Sequence, residues 1–319
     1  MSFDPSSLDP ANVSDETWEF VKASVAAREG APSMENTPLP ELRKLLEEGG
    51  GAFPALPPVE RAEARTVPGP AGEVPIRIIR PDSAPRGVYL DIHGGGWVIG
   101  RARMSDQANL ALVEALGIAT VSVDYRLAPE HSYPDPPDDC EAAALWLVEK
   151  AASEFGDVPL LIGGGSAGAH LAAVTLLRMR DRHGFTGYAG ANLVYGAYDL
   201  TMTPSQRLGV GPEGGLTRAS IEMFYDMFIP GADAHDPDIS PLYANLRDMP
   251  PALFTVGTFD PLLDDSLFMH ARWLAAGNQS ELATYAGGPH GFNVAPIAIG
   301  RAATTRIEAF LGERIAAEA

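Results

Sequence analysis

Apolar positions along the chain follow two periods, and the two periods alternate. Short runs rich in β-branched and aromatic residues predict strands at residues 74–80, 87–93, 118–125, 159–163, 191–195, 252–257 and 281–285. Helical spacing intervenes over residues 106–116, 138–153, 167–182, 264–276 and 301–314. Strands that alternate with helices of this length predict an α/β fold, with a mostly parallel central sheet and helices on both faces.

Two segments depart from the alternation and predict a helical cap. Trp18, Val21 and Val25 recur at helical spacing, a second helix is predicted over residues 40–48, and a Gly/Pro-rich linker follows at 49–58. Residues 1–50 are therefore predicted to be an N-terminal helical cap segment, and residues 51–319 an α/β domain. The apolar stripe of the first helix is expected to pack against a helix at 217–228, which belongs to the second segment.

That second segment is a long excursion between the strands at 191–195 and 252–257. Its size predicts a cap insertion at about residues 199–240 that acts as a lid over the carboxyl ends of the strands. The alternative is a structural insertion that only covers the edge of the sheet.

The glycine-rich string at residues 163–168, Gly-Gly-Gly-Ser-Ala-Gly, lies between a predicted strand and a predicted helix. Gly164-x-Ser166-x-Gly168 is the pattern of a nucleophile elbow, in which a sharp turn projects the serine above the sheet. We therefore predict that Ser166 is a nucleophile. The N–H of Ala167, at the start of the helix, is a predicted donor to an oxyanion.

The same string also fits the dinucleotide fingerprint G-x-G-x-x-G, through Gly163, Gly165 and Gly168. That fingerprint requires an acidic residue about 20 positions later, at the end of the next strand. The next strand begins later than that and carries no acid. A nucleotide-dependent enzyme is therefore the weaker alternative.

A second glycine-rich loop, His93-Gly94-Gly95-Gly96-Trp97, follows an upstream strand. Consecutive glycines let backbone N–H groups converge on a cavity without obstruction from side chains. An elbow serine requires such a donor loop as its partner. Gly94, Gly95 and Gly96 are therefore predicted to complete an oxyanion hole with Ala167.

A base and an acid follow the serine in the chain order Ser, Asp, His that this elbow predicts. Of the seven histidines, His290 alone follows the last predicted strand in a glycine-rich loop. Asp260 follows the preceding strand, whereas Asp264 and Asp265 have the positions of first-turn acids in the next helix. We predict a triad of Ser166, His290 and Asp260, which uses no metal or cofactor.

Composition narrows the possible partners and the location. With 42 acidic and 23 basic residues the net charge is −19, which disfavours binding to nucleic acid. No apolar run is long enough to span a membrane, and no secretory signal is visible. A single cysteine, Cys140, fits a reducing compartment, so we expect a cytoplasmic protein. The oligomeric state is undetermined, and a homodimer is one expectation.

These motifs resemble those of the bacterial hormone-sensitive-lipase-like carboxylesterases of the α/β-hydrolase fold. The resemblance is carried by His-Gly-Gly-Gly-Trp at 93–97, by the string Val-Asp-Tyr-Arg-Leu-Ala-Pro-Glu-His at 123–131, and by the segments 260–264 and 290–292. It covers most of residues 85–295. One departure is Gly165, where the family usually has Asp or Thr.

The resemblance implies hydrolysis of short- to medium-chain acyl esters, under a cap built from the N-terminal helices and the insertion. The substrate is thus expected to be a small-molecule ester. Trp97, Phe224, Phe228 and Phe292 are the candidate substrate-binding residues. The alternative is a small-molecule receptor on the same fold without catalysis, against which the complete triad argues.

Overall fold

The strands of this computed structural model form one sheet that carries the loops of interest at one edge. The structure describes residues 5–29, 33–48, 57–209 and 212–317. The strands are β1 (Glu63–Gly69), β2 (Gly72–Ile79), β3 (Val88–Ile92), β4 (Ala119–Val123), β5 (Leu160–Gly165), β6 (Tyr188–Val194), β7 (Ala252–Gly257) and β8 (Ser280–Tyr285). Their order is β1-β2-β4-β3-β5-β6-β7-β8.

All neighbouring strands from β4 to β8 in this order run parallel, whereas β1 and β2 pair antiparallel at one end. The strands β3, β4 and β7 are buried along their whole length, as expected for a sheet covered on both faces. Because parallel strands point the same way, the loops after β3, β5, β7 and β8 meet above one edge of the sheet. The α/β prediction is confirmed.

The helices are α1 (Asp15–Arg28), α2 (Leu39–Glu48), α3 (Asp106–Leu116), α4 (Asp135–Phe155), α5 (Ala167–His183), α6 (Pro204–Leu208), α7 (Arg218–Phe228), α8 (Leu263–Ala275) and α9 (Ala298–Ala317). Helices α3 and α9 contact each other and lie on one face of the sheet, while α4 and α5 contact each other on the opposite face. A continuous core joins these helices to the sheet.

Two differences from the predicted elements have physical reasons. The strand β1 was not predicted, because Pro68 interrupts its pattern, and proline is tolerated only at sheet edges or bulges. The helix α4 begins three residues earlier than predicted. Pro136 and Pro137 lie in its first turn, where the missing N–H would have no partner within the helix.

The N-terminal helices contact the main domain differently from the prediction. Val21 is buried, but the ring of Trp18 packs against Phe259, at 5.1 Å between ring centroids, and not as expected against the insertion helix. A carboxylate oxygen of Glu35 instead links the two cap segments, because it accepts hydrogen bonds from Thr217 (2.6 Å) and Ser220 at the start of α7. The predicted linker lies mostly outside the described residues, and the division at residue 50 stays a prediction.

Candidate active site

The turn between β5 and α5 holds Ser166 in a backbone conformation with φ +59° and ψ −125°, which is rare for a residue with a side chain. The turn also brings the backbone of β3 close. A Cβ at either Gly164 or Gly168 would collide with the carbonyl oxygen of Ile92. Glycine at these two positions therefore allows the elbow to pack against β3.

Three predicted side chains meet above this turn. The hydroxyl of Ser166 lies 3.0 Å from Nε2 of His290, and Nδ1 of the same imidazole lies 2.8 Å from Oδ2 of Asp260. Asp260 is fully buried, and its other oxygen accepts a hydrogen bond from the N–H of Leu262 at 2.9 Å. The carboxylate is thereby fixed, and the imidazole it orients has one nitrogen free to accept the proton of the serine.

The structure also separates Asp260 from its two sequence rivals. Asp264 accepts a hydrogen bond from the N–H of Ser205 at 2.8 Å. Asp265 is buried and accepts hydrogen bonds from the backbone of Tyr198 and Asp199 and from the side chains of Thr203 and Gln206. Burial raises the pKa of Asp265 to about 7. Both carboxyl groups anchor the start of the insertion, away from the imidazole.

The loop after β3 adopts conformations that glycine permits. Gly95 and Gly96 have φ values of +114° and +57°. A Cβ at Gly95 would collide with the carbonyl oxygen of Ile99, and one at Gly96 would lie 2.5 Å from the ring of Phe224. The N–H groups of Gly94, Gly95 and Gly96 donate to no oxygen within the described ranges, and all three residues line the same cavity as Ser166 and Ala167. The arrangement therefore offers free donors beside the serine.

The base of this loop is held by the 123–131 string. The Tyr125 hydroxyl donates to the carbonyl oxygen of His93 at 2.9 Å, and the two rings stack at 4.1 Å between centroids. Asp139 accepts hydrogen bonds from the Arg126 guanidinium at 2.8 Å. These contacts support the loop from behind and do not face the serine.

His170 is a residue whose position the sequence reasoning did not use. It lies one helical turn after Ser166, and its Nδ1 accepts a hydrogen bond from the indole N–H of Trp97 at 3.1 Å. Its Nε2–H donates to the carbonyl oxygen of Ile239 at 2.7 Å. Burial lowers the pKa of His170 to about 4. The neutral imidazole therefore connects the glycine loop, the elbow helix and the end of the insertion.

A cavity of about 1210 Å³ opens above the serine, and only some of the predicted substrate-binding residues line it. Trp97 and Phe224 line the cavity. Phe228 does not, because it is fully buried behind Trp97, with the rings stacked at 4.5 Å. Phe292 is also buried, and it packs against Tyr285 at 5.1 Å between centroids. Neither Phe228 nor Phe292 therefore lines the cavity, in contrast to the expectation for substrate-binding residues.

Tyr195 is a second residue that the sequence did not single out. It follows β6 with a φ of +37°, and its ring lies 4.7 Å from the ring of His290. Its hydroxyl donates to the side-chain oxygen of Asn293 at 2.5 Å. A Cβ at Gly165 would lie 3.3 Å from the Tyr195 ring. The small residue before the serine therefore leaves room for this tyrosine beside the imidazole.

The described ranges hold no group of three or more side chains that could together ligate a metal ion. Among the helices described, none combines the length and the apolar character that crossing a bilayer requires.

Comparison with known proteins places the chain among ester hydrolases. A family profile described as alpha/beta hydrolase fold matches residues 89–294. The carboxylic ester hydrolase LipN of Mycobacterium tuberculosis is 36% identical over 252 residues, which are 75% of this chain and 66% of that protein. The acetyl esterase of Salmonella schwarzengrund is 31% identical over 230 residues, 71% of each chain.

Solved structures give the same result over nearly the whole chain. A hyperthermophilic esterase from the archaeon Pyrobaculum calidifontis superposes with a TM-score of 0.84 at 29% identity, covering 94% of this chain and 98% of its own. An ester hydrolase from the metagenome of Lake Arreo, in complex with a bipyridine phosphonate derivative, gives 0.84 at 30% identity, with 95% and 99% coverage. A hormone-sensitive lipase from a metagenome library gives 0.81 at 26% identity, with 94% and 98% coverage.

Proposed function

This chain belongs to the hormone-sensitive-lipase-like esterases of the α/β-hydrolase fold, and on that premise we propose that it hydrolyses short- to medium-chain carboxyl esters through an acyl-enzyme on Ser166. The observation that carries the proposal is the unbroken line of hydrogen bonds from Ser166 through His290 to buried Asp260. A serine hydroxyl attacks an ester only when a base removes its proton, and this line supplies that base.

The chemistry follows from the positions of the atoms. Oγ of Ser166 attacks the ester carbonyl while its proton moves to Nε2 of His290, and Asp260 stabilises the imidazolium that forms. The carbonyl oxygen becomes negative and accepts hydrogen bonds from the glycine loop and from Ala167. Each such donor is worth about 3 kcal/mol of barrier. When the C–O bond breaks, Nε2 returns the proton to the leaving alcohol, and the acyl group stays on the serine.

Water then completes the cycle by the same route. His290 removes a proton from the water as its oxygen attacks the acyl carbon, a second tetrahedral species forms, and the proton passes to Oγ as the acid leaves. The apolar cavity above Ser166 supports this assignment, because it can receive an acyl chain.

Covalent labelling tests the proposal against the two alternatives. An organophosphonate is expected to add to Ser166 stoichiometrically, located by mass spectrometry of the digested protein. Ser166→Ala is expected to abolish both the label and the hydrolysis of p-nitrophenyl acetate while the protein stays folded. A receptor or a nucleotide-dependent enzyme would remain unlabelled in the wild type, and that result would reject the esterase assignment.

The N-terminal helices and the insertion are proposed to form the cap over this site. Met34, Leu46, Leu216 and Phe224 all line the cavity, and they come from both segments. Glu35 joins the segments through Thr217 and Ser220. Burial alone would raise the pKa of Glu35, but these hydroxyl hydrogen bonds outweigh it and lower the pKa to about 2.

Glu35→Gln tests the cap. Because Glu35 is only partly buried, the loss of its charge should cost about 1 kcal/mol at pH 7 after solvent screening. The folded-state pKa lies below the ordinary value, so this stabilisation is present above about pH 4.5 and is lost as the pH falls towards about 2. We expect a lower octanoate-to-acetate ratio of kcat/KM, with Glu29→Gln as the matched control. An unchanged ratio would show that the N-terminal segment does not contribute to substrate binding.

We also propose a cytoplasmic location, because the chain's lone cysteine, Cys140, is buried and unpaired, as in reducing compartments. A homodimer is the proposed assembly. Fractionation of the native host and light scattering of the purified protein test the two statements separately, and a monomer at micromolar concentration would reject the second.

A further inference from the structure

The cavity above Ser166 has a second arm that the reaction does not require. Its lining continues past the serine, along the sheet, into the space between α3 and α9. Ala108 and Ala111 on α3, and Thr305 on α9, line the far end of this arm and are exposed. The arm therefore runs from the nucleophile to exposed residues of α3 and α9.

The floor of this arm is polar, although it lies on a buried sheet face. Register places Asp91, Gly163 and Asn192 side by side on three neighbouring strands, β3, β5 and β6. Because Gly163 has no side chain, the hydroxyl of Tyr89 occupies the gap, where a Cβ on Gly163 would lie 2.5 Å from it. Asp91 already accepts a hydrogen bond from Asn109 at 3.1 Å. Tyr89 and Asn192 are the other polar side chains of this floor that line the cavity.

These two groups have unused hydrogen-bonding capacity. Asn192 is 5% exposed, and its Oδ1 has no hydrogen-bond partner among the residues that the structure describes. Its Nδ2 donates to the Tyr89 hydroxyl at 3.4 Å, so the hydroxyl proton of Tyr89 is itself available. A buried acceptor without a partner costs free energy unless a ligand or water supplies the missing proton. One neutral hydroxyl group can accept from Tyr89 and donate to Asn192.

The position of the pair sets the length of the ligand. Gly163 precedes Ser166 by three residues on the chain, a distance of roughly 10 Å at the rise of a parallel strand. An extended chain advances about 1.2 Å per bond, as a polypeptide backbone does. The distance therefore corresponds to roughly eight bonds, the length of a medium-chain acyl or alkyl group.

We propose that this arm is a recognition site for a hydroxyl group at the far end of a medium-chain ester, bound by Tyr89 and Asn192. The walls of the arm that α3 and α9 provide hold the apolar stem, and the polar pair binds its terminus. The proposal rests on the esterase function proposed above and names its substrate class. The hydroxyl group can belong to the acyl chain or to the alcohol, and the chemistry of the site is the same for both.

Matched ester pairs test the proposal. The acyl-side pair is the p-nitrophenyl esters of ω-hydroxyoctanoate and octanoate, and the alcohol-side pair is octanediol monoacetate and octyl acetate. The wild-type enzyme should show about tenfold higher kcat/KM for the hydroxylated member of one pair, equivalent to about 1.4 kcal/mol. The pair that responds identifies the side of the ester that enters the arm. Equal values in both pairs would overturn the proposal.

Variants of the arm give an independent readout. Tyr89→Phe should reduce the tenfold preference to about one. Thr305→Trp fills the arm and should lower kcat/KM for the hydroxylated member of the responding pair about tenfold, expressed as its ratio to kcat/KM for p-nitrophenyl acetate. Ala302→Trp, on an exposed position of α9 outside the cavity lining, should leave this ratio unchanged. A full preference in Tyr89→Phe, or equal ratios in the two tryptophan variants, would overturn the proposal.

Activity on p-nitrophenyl acetate distinguishes a failure of the proposed function from a failure of the proposed site in the arm. Its acyl group is too short to reach the polar pair, so it reports ester hydrolysis alone. A folded wild-type enzyme that is inactive on acetate would reject the proposed function itself. An enzyme active on acetate, but without any preference for a hydroxyl group, would reject only the site in the arm.

Discussion

Replacement of Asp260 by Asn tests whether the tautomer of His290 controls the reaction. Asp260 is fully buried, with one oxygen bound by the N–H of Leu262 and the other 2.8 Å from Nδ1 of His290. The amide of Asn has the same shape, so its oxygen can keep the bond to Leu262. Its NH₂ group then faces Nδ1 and can only donate.

The consequence is a change of tautomer at constant geometry. An NH₂ donor at Nδ1 moves the imidazole proton to Nε2, the nitrogen that lies 3.0 Å from Ser166. That nitrogen can then no longer accept the proton of the serine, and the negative charge that stabilises the imidazolium is also lost. Such a change in a Ser-His-Asp triad lowers kcat about 10⁴-fold, equivalent to about 5.5 kcal/mol of barrier.

Steady-state hydrolysis of p-nitrophenyl acetate at pH 7 to 8 measures this loss, with thermal unfolding as the check on the fold. Asp264→Asn is the control, because Asp264 bonds to Ser205 and not to the imidazole. A folded Asp260→Asn variant whose activity is within tenfold of wild type would refute the assignment of Asp260 as the acid. An equal loss in Asp264→Asn would refute it as well.

Two further predictions concern the glycine loop and the buried imidazole of His170. Gly95→Ala should lower kcat at least a hundredfold, because the residue needs φ +114° and its Cβ would strike Ile99; near-normal kcat would remove the loop from oxyanion binding. Burial lowers the pKa of His170 to about 4 in the folded protein. Between about pH 6.5 and pH 4 the unfolded chain therefore binds a proton that the folded protein does not, and the free energy of unfolding falls as the pH drops through this range. Urea unfolding should show wild type losing about 2 kcal/mol more than His170→Asn between pH 7 and pH 5, and equal losses would contradict this.

Much of this protein could be predicted from its sequence because the relevant information is local. Buried strands and the helices between them appear as periods in the chain, and the fold prediction is confirmed. The elbow around Ser166 is a short motif whose glycines serve close contacts with the neighbouring strand. Order along the chain then leaves His290 as the base candidate, and the structure places it beside the serine.

Tertiary structure decided what depends on contacts between distant segments. Asp260, Asp264 and Asp265 are chemically alike and close in sequence. Their positions in the sequence favoured Asp260, and their partners in space separate the three. Phe228 was predicted to bind substrate as an aromatic residue of the insertion helix. An aromatic ring buried behind the cavity wall has the same sequence pattern as one that lines the cavity, and Phe228 is buried behind Trp97.

The same reason explains what the sequence did not reveal at all. The bonds of His170 to Trp97 and Ile239 join residues that are 73 and 69 positions away along the chain. The link from Glu35 to Thr217 spans 182 positions. No periodicity or motif encodes such pairs, because each partner is an ordinary polar residue in its own segment. Their role arises only when packing of the sheet and helices brings these partners together.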